Sequence, residues 1–146
     1  MMNVFRATIK KINSLAELAL LLWPHHTEAD IDADFAEIIK RKDAVLFLAE
    51  EDDIAIGFAH CQLRHDYVEG TESSPVGYLE GIFVREEYRN QGVARGLLAA
   101  CEDWAREQGC TEFASDCELT NTMSFQFHLS VGFEEASRNI HFYKRI

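Results

Sequence analysis

Apolar residues recur along this chain with two periods, and the switch between them divides it into elements. Val4 to Lys10 is β-branched and aromatic enough to read as a strand. Ser14-Leu-Ala-Glu17 has the spacing of a capping box, and Leu15, Leu18 and Leu22 follow at helical intervals. Pro24 stops that helix and leaves Trp23 at its C-terminal end. A second helix carries Ile31, Phe35, Ile38 and Ile39 on one face and Glu28, Asp30, Asp32, Asp34 and Glu37 on the other. Ala44 to Glu50 and Ile54 to Arg64 read as two strands of a hairpin across a polar turn at Glu51-Asp52-Asp53. After a loop from Tyr67 to Pro75, Val76 to Val84 is a further strand. Arg85 to Gln91 is a charged turn. Val93, Ala94, Leu97, Leu98, Cys101, Trp104 and Ala105 then mark a long amphipathic helix that begins close to Gly92 and is stopped by Gly109. Thr111 to Asp116 reads as a strand, Asn121 as the N-cap of a helix running to about Val131, and Gly132 as its stop. Phe133 to Ile146 is expected to supply one or two final strands.

The strand at 76–84, the helix at 92–108 and the strand at 111–116 form a βαβ unit, whose two strands are expected to lie parallel. The hairpins elsewhere demand antiparallel pairing. The fold class is therefore α/β of the mixed α+β kind: a mostly antiparallel sheet with one central parallel pair, flanked by about four helices. At 146 residues and 47% hydrophobic composition, one domain spanning 1–146 can build its own core. The longest apolar runs, Leu18–Trp23 and Ala44–Ala49, have six residues each, too few for a membrane span or the core of a secretory signal.

Charge narrows the partners. Fourteen basic residues face 25 acidic ones, a net charge of −11. Such a surface disfavours nucleic acid and anionic membranes and favours a cationic small molecule. The four cysteines, Cys61, Cys101, Cys110 and Cys117, form no C-x-x-C pair and read as small buried hydrophobes. With no signal sequence in view, the cytoplasm is the expected compartment. The six histidines form no metal-ligand spacing, and no metal is expected.

Two places carry candidate chemistry. Arg89-Asn-Gln-Gly-Val-Ala94 lies where a strand turns into a helix, so the unpaired N–H groups of the first helical turn and the dipole end make an anion site. Gly92 would let a bulky anion such as a pyrophosphate approach the backbone. On the hexapeptide alone, an ordinary glycine at a helix entry explains the pattern equally well; the preceding strand and long helix are the context that a phosphate site needs. Glu80 interrupts an apolar strand beside Gly81. A carboxylate there is costly unless paired or wetted, which favours a functional reading, and Gly81 suggests a bulge or a close backbone approach. Asp116 ends a strand beside the same crossover, where sheets of this kind place ligands. Taken alone, Trp23 reads as a packed core edge, His26 as a solvated loop residue, and Tyr67 either way.

These segments resemble a known family. Tyr78-Leu-Glu-Gly-Ile-Phe-Val84, Arg89-x-x-Gly92-x-Ala94 and Leu97-Leu98 are similar to the coenzyme-binding core of the Gcn5-related N-acetyltransferases (GNAT). His65 to Val76, Leu79 to Val84, Glu112 to Asp116 and His128-x-x-x-Gly-Phe-Glu-Glu135 resemble the aminoglycoside 6′-N-acetyltransferases, in particular a short dimeric subgroup. The resemblance spans nearly the whole chain and is most specific from 65 to 135. It implies the GNAT fold, acetyl-CoA as co-substrate, a cationic aminoglycoside as acceptor, a role in antibiotic resistance and a homodimer. Ile82, Phe83 and Val84 would then offer main-chain groups to the acetyl and pantetheine arm. Asn90, Gln91, Gly92, Val93, Ala94 and Arg95 would wrap the pyrophosphate, and Asn121 would touch the coenzyme near its thiol end. Trp23, His26, Tyr67, Glu80 and Asp116 would line the aminoglycoside site. This chain has Ser137 where related enzymes often have a glutamate, and Tyr143 is its only late tyrosine available as an acid for the thiolate.

The chemistry contains a conflict. An amine with a lysine-like pKa costs about 4.6 kcal/mol to deprotonate at pH 7, and carboxylates around it raise that cost. A division of labour is expected, with Asp116 holding non-reacting ammonium groups and Glu80 taking the proton from the reacting one. A polyamine or peptide amine as acceptor, and a non-catalytic acetyl-CoA-binding domain, are the competing readings.

Overall fold

The computed structural model describes residues 1–146, and its sheet follows chain order: β1 (Met2–Arg6), β2 (Ala44–Glu51), β3 (Ile54–Arg64), β4 (Val76–Val84) and β5 (Phe113–Ser115). The first three seams are antiparallel. The last is parallel, Gly77 facing Phe113 and Leu79 facing Ser115. Four α-helices flank the sheet: α1 (Ile12–Leu22), α2 (Glu28–Lys40), α3 (Val93–Glu107) and α4 (Thr122–Ser130). The mixed sheet with one parallel joint is the architecture that the hydrophobic pattern predicts.

Strand alternation creates two cores. In β2, Leu46 and Leu48 turn to one face and join Leu15, Leu18, Phe35 and Phe58 beneath α1 and α2. Val45 and Ala49 turn to the other and join Ile56, Leu79, Leu97, Cys101 and Trp104 beneath α3. Asp52 and Asp53 take φ of 50° and 64° and close the β2–β3 hairpin as a tight turn. Thr27 caps α2, its hydroxyl accepting from the Asp30 amide at 3.2 Å.

Four expectations are corrected. The first strand stops at Arg6, because Ile9–Lys11 wind into a 3₁₀ turn. That turn leads directly into α1, which starts at Ile12 with no side-chain cap, so Ser14 lies inside the helix and is not its cap. Cys61, Cys101 and Cys110 are buried, but Cys117 is exposed in the stretch after β5. Finally, residues 133–146 form no strand, so the parallel pair expected at the centre of the sheet lies at its edge. β5 is only three residues long and offers no ladder to them, so Ile140, Phe142, Tyr143 and Ile146 stand at least 80% exposed. No helix is long and apolar enough to cross a membrane.

Candidate active site

The site begins where two strands part. β4 pairs with β5 only from Gly77 to Leu79, yet β4 continues to Val84. Its edge beyond Leu79 is therefore open on that side. The Arg85 amide donates to the Ile56 carbonyl on β3 at 2.8 Å, which fixes the alternation of the antiparallel ladder. Ile82 and Val84 consequently turn their N–H and C=O groups toward the open edge, and Phe83 turns its own toward β3. Of the three residues expected to offer main-chain groups, two are oriented to do so. Arg89 Nε donates to the Val84 carbonyl at 3.0 Å and ties the following turn to this edge.

The turn after β4 delivers the chain to the N-terminus of α3. Asn90 and Gly92 both adopt left-handed backbone, with φ of 63° and 84°. No side chain caps the helix, and its first backbone bond runs from the Gly96 amide to the Gly92 carbonyl at 3.0 Å. The amides of Val93, Ala94 and Arg95 therefore face outward unshared. A Cβ placed on Gly92 would meet nothing within 4 Å, so the ground before these amides is clear. Two side chains at this mouth are otherwise engaged. Gln91 Nε2 donates to the Glu87 carbonyl, and Arg95 reaches the Ser130 carbonyl at the end of α4. Asn121 caps α4, its Oδ1 accepting from the Ser124 amide at 3.1 Å, which leaves its amide nitrogen as the group able to meet a ligand. Such an opening, backed by bare amides, fits a diphosphate-bearing arm running along β4.

On the other side of β4 stands an acidic surface. His60 pairs with Gly81 and Cys61 with Leu79, so Glu80 has no partner on β3: it is the extra residue of a β-bulge. The bulge suggested by Gly81 is present one residue earlier. Glu80 is not a free carboxylate. Arg64, at the end of β3, holds it with both prongs, Nε to Oε2 at 2.9 Å and Nη2 to Oε1 at 2.8 Å. The same guanidinium lies over the Tyr78 ring, its Cζ 3.5 Å from the centroid. The Tyr78 hydroxyl donates to Asp116 Oδ2. Burial, then the bond to Asp116, push the Tyr78 phenol well above its usual range, so it stays a donor. The Trp23 indole lies over Gly81, 3.7 Å from where a Cβ would stand, and His26 meets the indole edge-on at 6.3 Å. His60 turns to the same face, with Nε2 buried and unpartnered; burial lowers its pKa despite Glu80 nearby. Tyr67 is 76% exposed beside a depression of about 380 Å³ lined by Gln62 to Tyr67.

The fold thus brings Trp23, His26, Glu80 and Asp116 to one face and Ile82, Val84 and Gly92–Arg95 to the adjoining opening. Ser137 and Tyr143 are both exposed, in the terminal stretch. No group of three or more His, Cys, Asp or Glu side chains is placed to hold a metal. Sequence reasoning missed Arg64, Tyr78 and His60. It also missed His128, which bridges the Ser124 carbonyl (2.6 Å) and Ser115 Oγ (2.8 Å) and fastens α4 to β5 at the fork. The sequence offers only a weak signal for Arg64, a cation that ends the strand paired antiparallel with the one that Glu80 interrupts.

An open strand edge feeding the bare N-terminus of the next helix is the geometry of an acyl-coenzyme A transferase, and the chain belongs to the acetyltransferase (GNAT) family, whose model matches residues 12–133. Within that family it is similar to the aminoglycoside N(6′)-acetyltransferases type 1. One from Salmonella typhimurium is 47% identical over 124 residues, covering 85% of this chain and 86% of the relative. One from Acinetobacter baumannii is 38% identical over 146 residues, covering 99% of each. Among solved structures, AAC(6′)-Iy in complex with the bisubstrate analogue CoA-S-monomethyl-acetylneamine superposes with a TM-score of 0.96 at 41% identity, over 100% of this chain and 99% of that one.

Proposed function

We propose that the chain, acting as one catalytic domain, transfers acetyl from acetyl-CoA to the 6′-amino group of aminoglycosides, as its relatives' names state for them. The observation that carries this reading is the juxtaposition of the open β4 edge, which leads to the bare amides of α3, with the surface formed by Glu80 of β4 and Asp116 just after β5. Acetyl-CoA supplies an activated thioester. The amides of Val93, Ala94 and Arg95 hold its diphosphate, and the outward N–H of Ile82 or Val84 polarises the thioester carbonyl as charge develops on its oxygen. Asp116, fixed by Tyr78, holds an ammonium group that does not react. Glu80 receives the proton of the reacting nitrogen, directly or through one water, on the lone pairs that Arg64 leaves free. The neutral amine forms the new C–N bond as the C–S bond breaks, the second proton that this nitrogen sheds passes to solvent, and the leaving thiolate takes one proton from solvent. Trp23, His26 and Tyr67 frame the sugar rings.

The test is thiol release from acetyl-CoA against paired aminoglycosides that differ only in a 6′-amino or 6′-hydroxyl group, with a polyamine panel alongside. Release with the 6′-amino compounds alone is expected. Release with polyamines alone would replace the acceptor class, and coenzyme binding without any release would make the chain a sensor.

The working form we propose is a homodimer in the cytoplasm. Near the end of the chain Ile140, Phe142 and Tyr143 stand exposed, a cluster of apolar side chains that gains by pairing with a second copy. Four unpaired thiols and a coenzyme-A co-substrate suit a reducing compartment. Light scattering at twice the chain mass is the expected result, and a monomer at micromolar concentration would remove the dimer.

A further inference from the structure

We propose that Arg64 is a positioning residue that sets the charge of the acceptor site, cancelling the hold of Glu80 on the reacting ammonium so that this nitrogen can lose its proton. The inference rests on the acyl-transfer reading above and deepens it. A carboxylate beside an amine favours the ammonium, the form that cannot attack. A site that recruits a polycation through acidic groups therefore works against its own chemistry unless the carboxylate next to the reacting nitrogen is neutralised. Glu80 is so neutralised. Its two oxygens each accept from Arg64 at 2.8–2.9 Å, and its side chain is 18% exposed. Asp116 is treated differently: it accepts from the neutral Tyr78 hydroxyl, and Arg64 reaches it only through space. One surface thus carries one carboxylate paired to a cation, with lone pairs still free to accept a proton, and one that is hydrogen-bonded to a neutral group.

The clamp is built in. Arg64 is stacked at 3.5 Å on Tyr78, the residue that orients Asp116, so the ring that directs one carboxylate also seats the guanidinium that neutralises the other. The remaining charges facing Glu80 do not take over this task. Burial lowers the pKa of His60, on β3, and so disfavours its charged form. Arg41, just after α2, acts on Glu80 through space but spends its own fork on Asp43 at 2.8 and 2.9 Å. His26, after α1, packs on Trp23. Only the fork of Arg64 bonds to Glu80.

The test is single-turnover acetyl transfer to a saturating 6′-amino aminoglycoside, read as rate against pH from 5.5 to 9.5, for the wild type, Arg64→Gln and Arg64→Lys. Removing the cation leaves Glu80 uncompensated, so the acid limb of Arg64→Gln is expected about one pH unit higher. At pH 6.5 that is roughly a tenfold loss of rate. KM at low salt should fall, since the site becomes more negative. Arg64→Lys keeps the charge and should return the limb most of the way. An Arg64→Gln limb that coincides with the wild type, or a KM that rises while the limb stays, assigns Arg64 a structural role and overturns the proposal. A wild type that transfers no acetyl overturns the functional reading instead.

Discussion

The phenol of Tyr78 donates its proton to the carboxylate of Asp116 across the parallel seam between β4 and β5. Tyr78 is 6% exposed while Asp116 is exposed, so a buried, permanently protonated donor aims a surface carboxylate. Tyr78→Phe deletes the hydroxyl alone. A hydrogen bond to a charged group is worth about 1.5–3 kcal/mol, part of which is recovered by water at an exposed carboxylate. A KM for aminoglycoside raised about tenfold, with little change in coenzyme affinity, is expected from steady-state kinetics. Asp116→Asn should raise KM further and flatten its dependence on ionic strength, because the screened attraction is gone. An unchanged KM in both variants would remove Asp116 from the acceptor site.

Glu80 sits at the bulge where β4 loses register with β3, and only its bond to Arg64 holds it there. Glu80→Gln keeps the shape and removes the proton acceptor. Turnover should fall by about 10²-fold, the lower range for a positioned base, while calorimetry finds acetyl-CoA binding intact. Normal turnover across pH 6–8 would exclude the base role.

Gly92 has φ of 84° with open space before it. Gly92→Ala places a Cβ in a left-handed conformation, at a cost of about 1–2 kcal/mol, and intrudes on the ground in front of the α3 amides. Coenzyme A should bind about tenfold more weakly by titration calorimetry, and the melting temperature should drop by a few degrees. Aminoglycoside binding to the free enzyme should be unaffected. Equal coenzyme affinity in the two proteins would place the diphosphate elsewhere.

Periodicity was enough to read most of the architecture. The α3 stripe from Val93 to Ala105 and the alternation in β2 report burial directly, since each face packs on a single core. Local signals failed where a neighbour decided the outcome. Ser14 matched a capping box, but the 3₁₀ turn at Ile9–Lys11 had already started the helix. Phe133 to Ile146 has strand-like residues, yet a strand needs an edge long enough to hold a ladder, and β5, the last strand of the sheet, has only three residues. At the site, Glu80 and Gly81 were legible because a charge and a glycine break an apolar run. Arg64 was not, since its bond to Glu80 depends on a register that includes the bulge. Tyr78 and His60 were hidden by being ordinary strand residues until alternation turned them toward the same face.

His60 supplies a test of that shared face through stability. Its Nε2 is buried without a partner, and burial lowers its pKa below the value of about 6.5 expected for an unfolded chain. The unfolded state therefore binds the proton more readily than the folded one. By linkage, stability rises with pH through this window and is lost as pH falls below about 6.5, down to the folded-state pKa. Arg41 on one side opposes protonation and Glu80 on the other favours it, but Glu80 is already engaged by Arg64 and cannot rescue the imidazolium. In His60→Gln no group titrates there. Melting temperatures measured from pH 7.5 to 5 should therefore fall less steeply in His60→Gln than in the wild type, with the two curves closest at the acid end. In Arg64→Gln, where Glu80 is released, His60 gains a free carboxylate and the wild-type acid loss should shrink as well. Parallel curves for all three proteins would show that His60 is not the group that titrates in this interval.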